Sequence, residues 1–410
     1  MNPLYNLGIR IYATAAKMAA HSNGKIAKMV AGQRQTLAKL KQCDYEKRNP
    51  VWIHAASLGE FEQARPLIEL IAEKHPEIPV VLSFFSPSGY DVRKDYPLAD
   101  SVVYLPFDTP GNAKKFIAAI HPRLAIFVKY EFWGNYLEQL RKQQIPTAII
   151  SAIFRPGQVF FKPWGFTFRK MLKAFSAGIF VQDKASQLLL EKIGVKSEVC
   201  GDTRFDRVLS IMKQTANFPA IEKFTKSGKT LIMGSSWQPD EDAVIPYFNH
   251  HPEMKLIIAP HEFDEERLAA LEKKIKRPVK RYSQLQPGED IDADCLIIDC
   301  FGILSSCYRY ADIAYIGGGF GAGIHNINEA AVYNMPVIFG PKYHKFKEAR
   351  DLVDAGGAKV ITSADDFSSV MTVWLTNSAY LENAGNIAGK YIKENIGATE
   401  KIYNRIKYYL

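Results

Sequence analysis

The chain has 410 residues, long enough for two domains of ordinary size, and 47% hydrophobic with 23% charged residues excludes a disordered chain. Its five cysteines (Cys43, Cys200, Cys295, Cys300 and Cys307) form an odd set without metal-ligand spacing, which points to a reducing cytosol. The net charge of +9 is concentrated at one end, where residues 1–50 carry nine Lys and Arg against two acids, making that end the electrostatic face.

Residues 4–20 place Leu4, Leu7, Ile11, Tyr12, Ala15, Met18 and Ala19 at helical spacing, with Asn6, Arg10, Thr14, Lys17 and His21 as a polar stripe. Two charges interrupt this amphipathic helix, it is shorter than the roughly 20 apolar residues a span requires, and no small-residue cleavage site follows it. It is expected to lie on a membrane surface, with Lys25, Lys28, Arg34, Lys39 and Lys41 facing anionic headgroups. The alternative is a helix packed on the core of its own domain.

From Val51 strands and helices alternate. Strands are predicted at 51–56, 80–85, 102–105, 124–128 and 147–151, with helices at 61–74, 113–120 and 133–143. A second cycle has strands at 230–233, 256–258, 295–298, 313–316 and 336–339. The pattern is that of parallel sheets covered on both faces, in two doubly wound domains joined between Asp206 and Lys226. Between Gln139 and Gln182 there is no acid, yet Arg141, Lys142, Arg155, Lys162, Arg169, Lys170 and Lys173 alternate with Phe154, Phe160, Phe161, Trp164, Phe166 and Phe168. Such a stretch binds single-stranded nucleic acid or anionic lipid, or folds with its aromatics in a core; beside the basic first helix, lipid is the favoured reading.

Ligands of doubly wound sheets sit beyond the carboxyl ends of the strands. Past the first strand comes Ser57-Leu58-Gly59-Glu60, and past Val128 comes Lys129-Tyr130-Glu131. Either glutamate can act as a general base or serve only as an acid favoured by a helix start. In the second domain Gly234-Ser235-Ser236-Trp237 offers N–H groups and hydroxyls to a phosphate. His261 holds an anion or caps a helix. The run Gly317-Gly318-Gly319-Phe320-Gly321-Ala322-Gly323 precedes a helix expected from about Asn326 to Tyr333. Free N–H groups and a positive helix end there suit a phosphate, and Glu329, one turn beyond His325, is expected to share its face. The next strand ends in Gly340-Pro341 without a ribose-binding acid, so the expectation is a nucleotide site of a kind other than NAD. No carboxylate pair suits Mg²⁺ and no P-loop lysine or Gly-x-Ser-x-Gly elbow occurs.

Together these segments resemble one family, the bacterial 3-deoxy-D-manno-oct-2-ulosonic acid (Kdo) transferases. The resemblance runs in order through His54-Ala55-Ala56-Ser57-Leu58-Gly59-Glu60, Leu105-Pro106-Phe107-Asp108, Glu131-Phe132-Trp133-Gly134-Asn135, Gln182-Asp183 and Gly201-Asp202-Thr203-Arg204-Phe205-Asp206. It continues through Gly234-Ser235-Ser236, Ala259-Pro260-His261, Gly317-Gly318-Gly319 and His325-Asn326-Ile327-Asn328-Glu329-Ala330-Ala331 to Pro336–Pro341. It implies the GT-B plan, two Rossmann-like domains facing a cleft: an N-terminal membrane-associating segment (1–45), an acceptor domain (46–212), a nucleotide domain (213–390) and a C-terminal helix (391–410) that packs back on the first domain.

The activity implied is inverting transfer of Kdo from CMP-Kdo to a lipid A precursor, without a cofactor or metal and without nucleic acid, at the cytoplasmic face of the inner membrane. Glu60 matches the general base and Glu131 a second essential acid. Ser235, Ser236, His261, Gly318, Gly319, His325, Asn326 and Glu329 match the CMP side, and Ser57, Gly59, Arg155, Lys162 and Trp164 are expected on the acceptor side. The sequence departs from the family pattern at Lys129 (usually Glu), Gly134 (usually Pro), His261-Glu262 (usually Arg-His) and Arg204 (usually Lys). It also lacks an Arg common before the last Gly-Gly-His. Lys342, His344 or Lys345 is the candidate replacement for that charge. The rival readings are a UDP-sugar transferase or epimerase of the same plan, and a non-catalytic nucleotide-sugar-binding protein of the membrane surface.

Overall fold

Short strands that are apolar at nearly every position can be stable only when both faces are covered, and the computed structural model covers them. It describes residues 3–213, 216–286 and 288–410. The chain divides into two compact units, 1–207 with 396–410, and 208–395.

The first unit holds seven parallel strands: β1 (Val51–His54), β2 (Val80–Phe84), β3 (Ser101–Tyr104), β4 (Leu124–Val128), β5 (Thr147–Ala152), β6 (Gly178–Val181) and β7 (Glu198–Val199), in the order β3-β2-β1-β4-β5-β6-β7. Side chains alternate between two cores. Trp52, Phe127 and Ile149 pack on one face with Phe116 and Tyr136; Ile53, Ile126 and Ile150 pack on the other with Phe61 and Leu67. The C-terminal helix Ala398–Ile406 adds Ile402, Tyr403 and Ile406 to that second core. The start of this helix is held by Asp206, whose carboxylate accepts the N–H groups of Gly397 and Thr399 and the Thr399 hydroxyl.

The second unit repeats the plan with β8 (Lys229–Ser236), β9 (Met254–Pro260), β10 (Val279–Arg281), β11 (Cys295–Ile297), β12 (Ile313–Ile316), β13 (Val337–Phe339) and β14 (Ala358–Val360), in the order β10-β11-β9-β8-β12-β13-β14. The sequence reading lacks β6, β7, β10 and β14. All four are two to four residues long and lie toward the ends of their sheets, where one or no strand lies beyond them.

The first helix, Pro3–Ala19, faces inward with its small residues. Ala13 and Ala16 pack with Met29, Val30, Tyr104 and Phe107, while Leu4 (74% exposed), Leu7, Ile11 and Met18 point outward. Two details correct the sequence reading. Asn6 leaves the polar stripe, its side-chain oxygen accepting from Asn135, and the Lys39 ammonium turns back to the Val102 carbonyl instead of outward. Among the described residues no helix is long and apolar enough to cross a membrane.

Candidate active site

The strand order reverses between β1 and β4 in the first unit; in the second, where β10 takes the edge outside β11, it reverses at that edge and again between β8 and β12. Connections leave these strands on opposite faces, so a crevice opens beyond their carboxyl ends. Glu60 and Glu131 follow β1 and β4; Ser235-Ser236 and the glycine run follow β8 and β12.

In the first unit, helix Leu58–Lys74 starts directly after β1 and carries Glu60 in its first turn, where the helix end favours a carboxylate. The Ser57 hydroxyl donates to Glu60 Oε2, and the Lys129 ammonium lies 3.8 Å from Oε1. Lys129 has φ of 65°, a left-handed conformation that a side-chain-bearing residue adopts at a cost of about 1 kcal/mol or more. A Cβ on Gly59 would meet nothing closer than the Ser57 Oγ at 3.8 Å, so the space beside it is open. The Trp133 indole donates to Glu131 Oε2 at 2.5 Å, and His54 Nε2 lies 3.3 Å from the same oxygen. Arg155 lies over the ring of Tyr130, 5.9 Å from its centre. Behind this group Asp202 is fully buried; burial opposes its charge, but Arg204 and Gln63 hold its carboxyl below the usual range.

The second unit corrects the sequence reading in three ways. The helix after the glycines is only Asn328–Ala331 and begins well past the turn, so no helix end stands at the glycines. His325 precedes it and shares no helical face with Glu329. Most of the turn's N–H groups are already engaged. Gly317 donates to Gly234 O, Gly318 to Asp240, Gly321 and Gly323 to Gly318 O, and His325 to Gly317 O. The glycines are demanded by protein backbone: a Cβ on Gly317 would lie 2.2 Å from Ser235 O, and one on Gly319 would lie 2.5 Å from Gly340 N. Gly318, at φ of 91°, turns the chain.

What this packing presents is a stack of rings. His261 stacks on both Trp237 and His325, each ring centroid 4.6 Å away, and those two rings adjoin, Trp237 Nε1 donating to His325 Nε2 at 3.3 Å. Burial, with the neighbouring His261, lowers the His325 pKa to about 4; the His325 ring is neutral and its Nδ1–H is the donor left for a ligand. Ser235 is left-handed at φ of 53°, and Ser236 is buried with its hydroxyl on Glu241, so contact with a ligand there falls to its main chain. Asn326 donates to Glu329 Oε1, and Ser305 donates to Oε2 at 2.6 Å. Lys342 donates its N–H to Gly319 O, which brings its loop against the glycine turn.

The structure thus groups Ser57, Gly59, Glu60, Glu131 and Arg155 in one unit, and Ser235, Ser236, His261, Gly318, Gly319, His325, Asn326 and Glu329 in the other. Lys162 and Trp164 lie on short helical turns with no described contact to either glutamate. Sequence reasoning passed over Asp240. Fully buried, it accepts from Gly318 N, Trp237 N and the Tyr315 hydroxyl, and burial pushes its pKa up despite these donors. It stands in the first turn of helix Gln238–His250, a position where any helix-start acid is favoured and nothing local marks it out. Among the described residues no group of three or more His, Cys, Asp or Glu is placed to hold a metal ion.

Residues 7–207 match the family model described as 3-deoxy-D-manno-octulosonic-acid transferase (kdotransferase). Among curated relatives, the 3-deoxy-D-manno-octulosonic acid transferases of Haemophilus influenzae and Bordetella pertussis are each 26% identical, over 88% of this chain and 87% of theirs. That of Aquifex aeolicus is 24% identical over 78% of this chain and 82% of its own. The chain belongs to the Kdo transferase family. It is therefore a glycosyltransferase by family. In fold it is similar to the UDP-GlcNAc 2-epimerase of Neisseria meningitidis (TM-score 0.60, 16% identity, 88% of this chain and 100% of that one). It is similar also to Staphylococcus aureus MnaA (TM-score 0.58, 14% identity, 88% and 96%). These likenesses concern the two-Rossmann, GT-B-type architecture alone.

Proposed function

We propose that this Kdo transferase family member moves Kdo from CMP-Kdo to a hydroxyl of a lipid A precursor, with inversion, in lipopolysaccharide biosynthesis. The observation that carries the reading is that the reversal of strand order at β1/β4 in one sheet and that at β8/β12 in the other each coincide with one half of the required chemistry: carboxylates beyond β1 and β4, and a ring cluster and glycine turn beyond β8 and β12. CMP occupies the second unit. Neutral His325 and the main chain at Ser235–Ser236 hold its phosphate, Glu329 with Asn326 takes the ribose hydroxyls, and Lys342 supplies positive charge. The acceptor hydroxyl attacks the anomeric carbon from the face opposite CMP through an oxocarbenium-like transition state. As the new C–O bond forms, Glu60 takes the hydroxyl proton; as the old one breaks, CMP leaves with the electron pair as a phosphate monoester. Glu131 lines the same crevice as Glu60 and orients the acceptor beside Ser57, Gly59 and Arg155.

The first unit also supports docking at the inner face of the cytoplasmic membrane. Leu4, Leu7, Ile11 and Met18 are outward on the first helix, and Trp164 and Phe166 are more than 60% exposed. A groove of about 530 Å³ between helices Gly134–Lys142 and Phe166–Leu172 is lined by Lys170, Lys173 and Arg141, the last paired with Glu138, over Leu137, Met171 and Ala174. Cations above an apolar floor suit lipid phosphates.

Thermal shift of the full chain tests the donor assignment. CMP and CTP are expected to raise Tm more than UDP does. A larger shift with UDP would overturn the assignment in favour of a UDP-sugar enzyme of the same fold.

A further inference from the structure

Glu131 has a role in the reading above, and the inference here rests on that reading, yet part of what holds its carboxylate comes from two neighbouring strands. The Trp52 indole, on β1, donates to Ser83 Oγ, on β2, at 2.8 Å. Ser83 Oγ lies 2.9 Å from His54 Nδ1, and His54 Nε2 lies 3.3 Å from Glu131 Oε2. Trp52, Ser83 and His54 are all fully buried.

We propose that Trp52 and Ser83 fix the Nε2–H tautomer of His54, making His54 a positioning residue that aims the carboxylate of Glu131 into the crevice. The direction of the chain follows from donor counting. An indole has only a proton to give, so Ser83 Oγ accepts from Trp52 and has its own proton for His54 Nδ1. With Nδ1 accepting, the imidazole proton resides on Nε2 and points at Glu131. The competing arrangement is near at hand: the Ser83 carbonyl is 3.1 Å from Nδ1 and already accepts Ala55 N. Were Nδ1 to donate there, the Nε2 lone pair would face a carboxylate oxygen, which is repulsive.

The walls leave the ring little freedom. Phe127 lies edge-on from β4, with centroids 5.9 Å apart, and Trp133 lies edge-on from the following loop, also at 5.9 Å. The charged group facing its Nε2 is Glu131; the Glu60–Lys129 pair follows the same two strands, β1 and β4.

The test uses the full-length protein. Long-range ¹⁵N–¹H NMR of histidine-labelled enzyme, with the His54 signal assigned by its loss in His54→Gln, is expected to show the proton on Nε2. In Ser83→Ala the Oγ donor is gone and the carbonyl remains, so the proton is expected on Nδ1. A wild-type proton on Nδ1, or no change in Ser83→Ala, overturns the relay.

Turnover supplies a second reading. Glutamine places an amide N–H where imidazole Nε2–H was, whereas asparagine places it near Nδ1. His54→Asn and Ser83→Ala are expected to lower kcat by about tenfold or more with CMP affinity unchanged, and His54→Gln to retain most of it. Both histidine variants share the cost of altering a core position, so the difference between them isolates the donor; equal impairment contradicts the proposal. A wild-type protein that transfers no Kdo would overturn the functional reading, while the NMR result would still decide the relay.

Discussion

Two glycines beside the two crevices, one in each unit, meet opposite surroundings. Gly59, just past β1, faces open space, and a Cβ there would touch nothing closer than 3.8 Å. Gly317, just past β12, is pressed against the main chain of Ser235 at the end of β8. The same residue type beside a crevice therefore means room for a ligand in one unit and close backbone packing in the other. The wider sites follow suit. The first unit offers charged side chains, Glu60, Glu131, Lys129 and Arg155; the second offers aromatic and imidazole rings and main chain beside the Glu329 carboxylate, organised from beneath by Asp240. A division between proton chemistry and nucleotide holding is the simplest account of this contrast.

Mutating the carboxylates breaks the comparison most sharply. Glu60→Ala is expected to lower kcat by about 10²–10⁴ with CMP affinity unchanged, measured by steady-state transfer and CMP titration; near-normal turnover would return Glu60 to the role of a helix-start acid. Paired glycine variants come next. Gly317→Ala is expected to cost about 1–3 kcal/mol of stability and to erase the CMP-induced rise in Tm, because its Cβ would strike a backbone carbonyl. Gly59→Ala is expected to fold normally and raise KM for the acceptor alone. Equal destabilisation by the two would contradict the contrast.

Outside the crevices, Leu7→Glu with Ile11→Glu is expected to weaken sedimentation with anionic vesicles about tenfold or more; unchanged binding would mean that this outward face is no anchor.

The pH dependence is smaller. His325 is neutral in the folded unit down to about pH 4, but an unfolded histidine takes up a proton near 6.5. The unfolded state thus binds the proton first on acidification, so this stability is complete above about pH 6.5 and is lost as pH falls toward 4. Screened by its partial exposure, the effect amounts to about 1 kcal/mol, or about 2–4 °C more loss of Tm in wild type than in His325→Asn between pH 7 and 4.5. Finally, because the departing group is a monophosphate, EDTA is expected to leave turnover unchanged; loss restored by Mg²⁺ would show that the protein's cations and dipoles do not suffice.

The sequence carried the architecture well because long-range physics was written in short-range patterns. Apolar runs such as Leu124–Val128 and Ile313–Ile316, bounded by helical segments, can only be strands of covered parallel sheets. The order of motifs carried the family for a similar reason, since each lies at a strand end. What stayed hidden depends on contacts between distant strands. Nothing local distinguishes Gly59 from Gly317, because the atom that makes the latter obligatory belongs to Ser235, more than eighty positions earlier. Asp240 stands where any helix-start acid stands, and only its bond from Gly318 N, 78 positions later, sets it apart. The helix expected over Asn326–Tyr333 has the composition for one, but packing against β8 and β13 holds the glycine turn irregular and defers the helix to Asn328. His54 read as one letter of a motif; its partner Ser83 lies on a neighbouring strand.

The most direct measurement is the reaction itself. Purified full-length protein is incubated with CMP-Kdo and a tetraacylated lipid A disaccharide, and the lipid product is weighed by mass spectrometry while CMP release is followed. A lipid heavier by one or more Kdo residues, with one CMP liberated per residue added, is the result predicted. Release of CMP without any gain in lipid mass, or no reaction with this donor while a UDP-sugar is consumed, would contradict it.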